Sequence, residues 1–308
     1  MILVAGSANL DFVVRAPHIP APGETVLGRH FNTFPGGKGA NQAIACARAA
    51  AVPTAMLAAL GKDAFAEPLI ASLEAAGVRL HAVHPEGLTT GTAFICVSDN
   101  GENAITVAPG ANAGLAPEHL IPLDGFTHLL LQLETPMPTV LAYARAARRA
   151  GLQVVLNAAP AQPLPAELLQ LLDLLIVNEG ELAAIAGHNG SLRQQLERIQ
   201  VPMVVVTLGA AGCVARHPGG IELQPAFRIE PVDSTAAGDT FCGALVGALS
   251  RGLSLAQALT MATAASALSC LTLGAQSSIP ERAAVLEFMS QHPLQTDTDA
   301  LTRRLDAA

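Results

Sequence analysis

The chain predicts an α/β fold, a doubly wound and mainly parallel sheet flanked by helices, with a second small and mostly antiparallel sheet beside it. Three observations predict this. From His128 onward, fully apolar runs of strand length alternate with helical patterns, as parallel strands buried on both faces require. Around residues 25–34 and 92–107 the apolar residues instead alternate with polar ones, as in strands exposed on one face. Two turns of small residues, Gly36-Gly37-Lys38-Gly39 and Ala236-Ala237-Gly238, each open onto a helical pattern.

In chain order, Ile2, Leu3 and Val4 form an apolar strand that ends in the turn Gly6-Ser7-Ala8-Asn9. Asn9 and Asp11 read as turn residues ahead of Phe12-Val13-Val14. After a break at 20–24 and the alternating stretch 25–34 comes Gly36-Gly37-Lys38-Gly39-Ala40-Asn41-Gln42, then Ala43, Ile44, Ala47 and Ala50 at helical spacing. This is not a Walker A loop, because Gly39 stands where Ser or Thr should follow the lysine. Its glycines, with Lys38 and Asn41 on the first helical turn, let the hydroxyls of a small polar ligand approach the backbone. A buried strand at 54–60 precedes a helix through Leu69, Leu73 and Ala76 that Gly77 ends. Residues 92–97 and 104–107 form a hairpin around Asn100-Gly101.

The strand–helix rhythm then runs 128–132 into 138–150, 154–157 into 165–172, 174–178 into 179–186, and 204–207 into the turn 209–212. Ligands of such sheets sit outside the carboxyl ends of the strands. Those ends carry Gln132, Glu134, Asn157, Asn178, Glu181 and Thr207. Helices follow at 240–250, 255–268 and 280–289, and the polar loop 271–278 can return towards Asp233. The polar tail 291–308 reads as poorly ordered, with one amphipathic segment at 301–305. The whole reads as one domain.

The chemistry concentrates in Asp233-Ser234-Thr235-Ala236-Ala237-Gly238-Asp239-Thr240-Phe241. Small side chains at Ala236, Ala237 and Gly238 leave backbone N–H groups uncovered at a helix start, where the dipole supplies roughly half a positive charge. A phosphate is held there without a basic side chain. Asp239 beside it can accept the proton of an attacking hydroxyl, and in-line phosphoryl transfer needs both features.

Bulk properties exclude other classes. A net charge of −8 argues against non-specific binding to nucleic acid or to an anionic membrane. No signal-peptide pattern or apolar run of spanning length occurs, so a cytoplasmic location is expected. The five cysteines show no C-x-x-C pairing and read as free thiols, and the nine histidines include no H-E-x-x-H. Gly6-Ser7-Ala8-Asn9-Leu10-Asp11 lacks the G-x-G-x-x-G of a nicotinamide-dependent dehydrogenase.

The motif at 36–42, paired with that at 233–241, resembles the two signatures of the ribokinase-like (PfkB) carbohydrate kinases. Leu131-Gln132-Leu133-Glu134, Asn157-Ala158-Ala159-Pro160, Asn178-Glu179-Gly180-Glu181 and Thr207-Leu208-Gly209 follow in that family's order. The resemblance implies ATP-dependent phosphorylation of a primary hydroxyl of a furanose, D-ribose at its 5-hydroxyl matching best, beneath a lid formed by segments near 11–35 and 90–108. Another pentose, 2-deoxyribose or a nucleoside is the second reading, and a non-catalytic sugar or nucleotide sensor a third. It implies Asp239 as general base and Ala236, Ala237 and Gly238 as an anion hole. Asn9, Asp11, Gly37, Lys38, Asn41 and Glu134 would bind the sugar. Asn178, Thr207, Gly209 and Gly212 would bind the nucleotide, with Thr263 near the adenine. Glu181 would act on Mg²⁺. Asp233, Thr235, Ser269, Gly274 and Ser278 would hold an activating K⁺, although Thr272 and Leu273 stand where many members carry basic residues. Exposed strand edges in the lid suggest a homodimer.

Overall fold

A run of consecutive apolar residues needs cover on both faces, and the first strand shows how the chain supplies it. In the computed structural model, which describes residues 1–293 and 298–307, β1 (Ile2–Ala5) buries Ile2 and Val4 in one hydrophobic cluster. Its Leu3 and Ala5 enter a second cluster on the opposite face. Next come β2 (Asn9–Ala16), β3 (His30–Gly36), α1 (Lys38–Arg48), β4 (Thr54–Ala59), α2 (Ala66–Ala75), β5 (Arg79–Val83), β6 (Gly91–Ser98) and β7 (Asn103–Ala108). The alternating part is β8 (His128–Leu131), α3 (Met137–Arg149), β9 (Gln153–Asn157), α4 (Ala166–Leu171), β10 (Leu174–Asn178), α5 (Glu179–Ala186), α6 (Leu192–Arg198) and β11 (Met203–Thr207). The chain closes with β12 (Gly212–His217), β13 (Gly220–Pro225), α7 (Ala237–Ser250), α8 (Leu255–Ser269), α9 (Arg282–Gln291) and α10 (Asp299–Asp306).

The large sheet has the order β13-β12-β11-β10-β9-β8-β1-β4-β5 and is parallel except at the β12 and β13 edge. Strands are added to one side of β1 with β4 and β5, then to the other with β8 onward. The loops leaving β1 and β8 therefore part, opening a crevice at the carboxyl ends. The hairpin of β12 and β13 was not expected from sequence, although Pro218-Gly219-Gly220 marks its turn.

The small sheet has the order β3-β2-β6-β7. Its centre is a parallel pairing of β2 with β6, from Asn9 opposite Gly91 to Ala16 opposite Ser98. Asn9 and Asp11 are strand residues, not turn residues as their local chemistry suggests, because β2 is bonded on both sides by β3 and β6. The strand expected over 25–34 is β3 and starts at His30. Residues 25–29 lie outside it, and Leu27 projects into solvent, so their alternation does not reflect burial.

The described part of the tail contains α10, whose Leu301 and Leu305 are buried in the second cluster. Arg304 pairs with Glu179 and Arg193 with Asp306. Residues 294–297 and 308 of the stretch read as poorly ordered lie outside the described residues.

One helix pair decides where the site forms. A Cβ added at Gly243 of α7 would lie 2.5 Å from the Ala45 Cβ and from the Gln42 carbonyl oxygen of α1, and one at Gly247 would lie 2.2 Å from the Ala50 Cβ. Glycines at these two positions let α1 and α7 approach at backbone distance. That approach brings the first turns of both helices together.

Candidate active site

The site begins where α7 begins. Its N-cap, Ala236, has φ 59° and ψ 9°, a left-handed conformation that costs a residue with a Cβ about 1–2 kcal/mol. The turn so formed lets the Ala237 N–H donate to the Ser234 carbonyl at 3.2 Å and the Thr240 N–H to the Ala236 carbonyl at 2.8 Å. The amides of Gly238 and Asp239 keep no chain partner among the described residues. Of the amides the sequence nominates, that of Ala237 is thus used within the turn and that of Gly238 stands free, joined by that of Asp239. A Cβ added at Gly238 would meet nothing within 4 Å, so the backbone faces open space there.

Asp239 lies on the first turn of α7 with its side chain almost fully buried. Asn41 Nδ2 donates to its Oδ2 at 2.9 Å, and Gln42 Nε2 donates to its Oδ1 at 2.9 Å. Lys38 completes the surround. The charge of Asp239, outweighing burial and joined by those of Glu134 and Glu181, holds the Lys38 ammonium above its usual pKa. A carboxylate, a lysine and two amides thus come together from segments nearly 200 residues apart.

On one side of Asp239 lies a polar recess. Gly37, at φ +90°, could not carry a Cβ, which would lie 2.7 Å from the Ala8 Cα and the Asn9 nitrogen. A Cβ at Gly39 would lie 2.7 Å from the Gly6 carbonyl carbon and the Ser7 oxygen. These glycines seat α1 directly against the turn after β1. Ser7 Oγ then donates to Glu134 Oε2 at 2.6 Å, as does the Lys38 N–H at 3.2 Å. Asn9 is buried, its Oδ1 accepting from Asn112 Nδ2 at 2.8 Å, while the Ala8 N–H donates to Asn112 Oδ1. The Asp11 carboxylate lies over Gly36. Burial, together with the charges of Glu134 and Asp239, pushes it up to about 7. Asn41 Oδ1 is buried with no partner among the described residues, an acceptor held ready for a donor from a ligand. Acceptors at Asp11, Glu134 and Asn41 beside the donor Lys38 suit a compact polyhydroxylated molecule.

Ser7, Gln42 and Asn112 serve this recess without having been singled out for it in the sequence, whereas Gln132 was marked as a polar strand-end residue. Gln42 belongs to the motif at 36–42 and could have been found there. Nothing local marks Asn112, whose role arises from contacts more than 100 residues distant.

On the other side of Asp239 are two adjoining cavities. A polar one of about 170 Å³ is lined by Lys38, Asn157, Asn178, Glu181, Thr207 and Asp239 among others. A larger, mostly apolar one of about 620 Å³ is lined by residues including Gly209, Gly212, Phe227, Ile229 and Thr263. They share Thr207 and Gly238. Asn178 and Glu181 form a capping box on α5, each side chain accepting from the other's backbone N–H at 2.8 Å. Burial, partly opposed by the Asn178 amide and Lys38, raises the Glu181 carboxyl. Cys242 also lines the polar cavity, and burial, with the charges of Asp239 and Glu181, raises its thiol well above the ordinary value. It is a wall rather than a nucleophile.

The remaining nominated residues gather apart from the recess, where the 232–235 loop meets 270–278. The Val232 and Asp233 amides donate to the Cys270 carbonyl, and Asp233 accepts from the Thr235 N–H, the Thr235 hydroxyl and the Gly274 N–H. Burial would raise the Asp233 carboxyl, but these bonds bring it below its ordinary value. The Ser269 and Ser278 side chains donate to the Ser266 and Ala275 carbonyls.

The family model for the pfkB family carbohydrate kinases matches residues 1–282. The chain belongs to this family. It is 37% identical over 302 residues to the ribokinase of Haemophilus influenzae, a match covering 94% of this chain and 98% of that one. With the Bacillus subtilis ribokinase it shares 36% over 296 residues, covering 94% and 99%. Among solved structures, a Thermotoga maritima ribokinase superposes with a TM-score of 0.87 at 39% identity, covering 94% of this chain and 99% of its own. The Arabidopsis thaliana ribokinase complexed with ribose and ATP has a TM-score of 0.84 at 32% identity, covering 93% and 97%. The PfkB membership bears out the α/β fold and the ATP-dependent carbohydrate kinase activity read from the paired motifs.

Proposed function

We propose that this chain transfers the γ-phosphoryl group of ATP to the 5-hydroxyl of D-ribose, giving ribose 5-phosphate and ADP. The observation that carries this reading is the position of Asp239, which stands where the polyol-type recess meets the phosphate-sized cavity and has two free amides beside it. Several full-length relatives bear the name ribokinase, and one of them is complexed with ribose and ATP.

Asn9, Asp11, Gly37, Lys38, Asn41 and Glu134 hold the sugar hydroxyls and aim one of them at Asp239. Asp239 takes its proton as the oxygen attacks the γ-phosphorus, the bond to the ADP oxygen breaks, and the Ala236–Gly238 turn with the amides of Gly238 and Asp239 receives the charge on the equatorial oxygens. Lys38 adds a positive charge on the same side. Asn178 and Thr207 border the phosphates, and Gly209 and Gly212 border the nucleoside, with Thr263 in the wall of the apolar cavity. The buried carboxylate of Glu181 fits a role towards Mg²⁺, which supplies neutralisation of the β- and γ-phosphates. Asp233, Thr235, Ser269, Gly274 and Ser278 offer one carboxylate and otherwise hydroxyl and carbonyl oxygens, a hard donor set suited to K⁺. Exposed Phe31, Phe94, Ile105 and Val107 on the small sheet, whose edge strand β7 is exposed throughout, fit pairing with a second copy in a homodimer.

A coupled assay for ADP release on ribose, 2-deoxyribose, fructose 6-phosphate and adenosine tests the substrate. Ribose should give the highest kcat/KM, and a clear preference for another acceptor would overturn the assignment. Repeating it with tetramethylammonium in place of K⁺ should slow turnover severalfold, and equal rates would remove the cation site.

A further inference from the structure

Both oxygens of Asp239 receive an amide N–H, but the two donors are held very differently. Asn41 has its Oδ1 free for a ligand. Gln42 has both N–H positions of its amide engaged and its oxygen accepting a bond as well. Its Nε2 donates to Asp239 Oδ1 and to Asn157 Oδ1, both at 2.9 Å, and its Oε1 accepts from Gln132 Nε2 at 2.7 Å. Asn157 is fixed in turn, donating to the Ile176 carbonyl at 3.1 Å. Gln42 is fully buried, as is Gln132, and Asn157 is nearly so. A primary amide of this length is the one ordinary side chain that can supply two donors and one acceptor here. Neighbours on a helix point about 100° apart, so the longer Gln42 reaches one oxygen of Asp239 while the shorter Asn41 reaches the other.

We propose that Gln42 is the positioning residue of the catalytic base, tying Asp239 to the carboxyl ends of β8 and β9 through Gln132 and Asn157. The orientation of Asp239 is thereby referenced to the large sheet, where the acceptor and nucleotide sites are built, and not to α7 alone. The bond to Oδ1 fixes the carboxylate from one side and leaves Asn41 free to exchange with a sugar hydroxyl. The charged and titratable groups facing Asp239 are Lys38 on α1, Asp11 on β2, Glu181 on α5 and Cys242 on α7. None of them touches the Gln42 amide through a hydrogen bond among the described residues.

The inference rests on Asp239 as the base, so Asp239→Asn is assayed beside Gln42→Met, Gln42→Glu and Gln132→Met. In Gln42→Met, kcat should fall about 10–100-fold with less than a threefold change in KM for ribose or ATP, and the acid limb of the kcat profile should move to higher pH. Gln42→Glu, of equal size, should move that limb further in the same direction. Gln132→Met, which touches neither ligand nor base, should show the same shift in smaller degree, and the double variant should be less than additive. Thermal unfolding and calorimetric ADP binding identify folded variants. Folded variants with an unmoved pH profile and losses confined to KM would overturn the positioning role while Asp239→Asn stays inactive. A turnover-competent Asp239→Asn would overturn the base assignment itself.

Discussion

The two small-residue turns, at 36–39 and at 236–238, look alike in sequence and do opposite things in the fold. At the start of α1 the glycines are consumed by the chain: Gly37 and Gly39 have backbone where their side chains would be, and the ligand-facing groups are the side chains of Lys38 and Asn41. At the start of α7 the space beside Gly238 is open and the ligand-facing groups are backbone amides, with Asp239 the only charged side chain of the turn. A glycine-rich helix start is therefore two devices, one for seating chain on chain and one for exposing an amide to an anion.

Asp239→Asn is the largest test of this contrast, since it removes the carboxylate charge at which the two turns meet. It should lower kcat by about 10²–10⁴-fold with ATP and ribose binding kept, as calorimetry would show. Next is Gly37→Ala, which forces a Cβ into a left-handed position against backbone. A loss of about 2–4 kcal/mol in urea-induced unfolding is expected. Gly238→Ala should behave in the reverse way. Its methyl meets no protein atom, so stability should hold or rise by about 0.5–1 kcal/mol on helix propensity, while kcat falls about 10-fold or more. Equal stability losses at the two positions would erase the distinction drawn between them.

The smallest effect concerns Asp11. Its carboxyl is pushed up to about 7 from an ordinary 3.8, so between these values the folded protein keeps a proton that the unfolded chain has released. Ionisation here opposes folding: the penalty is absent below about pH 4 and complete above about pH 7. Asp11→Asn should thus stabilise the ligand-free protein by on the order of 1 kcal/mol at pH 8 and by nothing at pH 4, allowing for screening at a half-buried position. The same variant should raise KM for ribose. Unfolding curves at the two pH values check the sign.

How far the site was legible differs residue by residue. Asp239, Lys38 and Asn41 stand in dense local patterns, because an anion turn and a close helix start each need consecutive residues of particular size. Asn9 and Asp11 looked like turn residues and became strand residues once β3 and β6 bonded to both sides of β2. Ser7 and Asn112 had no readable role alone, since each acts on a partner more than 100 residues away, and Gln132 was legible only as a polar strand end, its partner Gln42 lying 90 residues off. The hairpin of β12 and β13 was missed because its apolar runs are short and sit at the sheet edge.

By itself, then, the amino-acid sequence determined the layered α/β architecture, the family and the residues of the two turns, all of which follow from local periodicity and local backbone freedom. Only the tertiary structure decided which amides stay free at the start of α7, that Gln42 and Asn41 grip opposite oxygens of Asp239, and how far the Asp11 carboxyl is raised. The physical reason is that these are properties of approach between distant segments: two glycines on α7 set the spacing to α1, and hydrogen bonds and desolvation at that spacing have no counterpart in the linear chain.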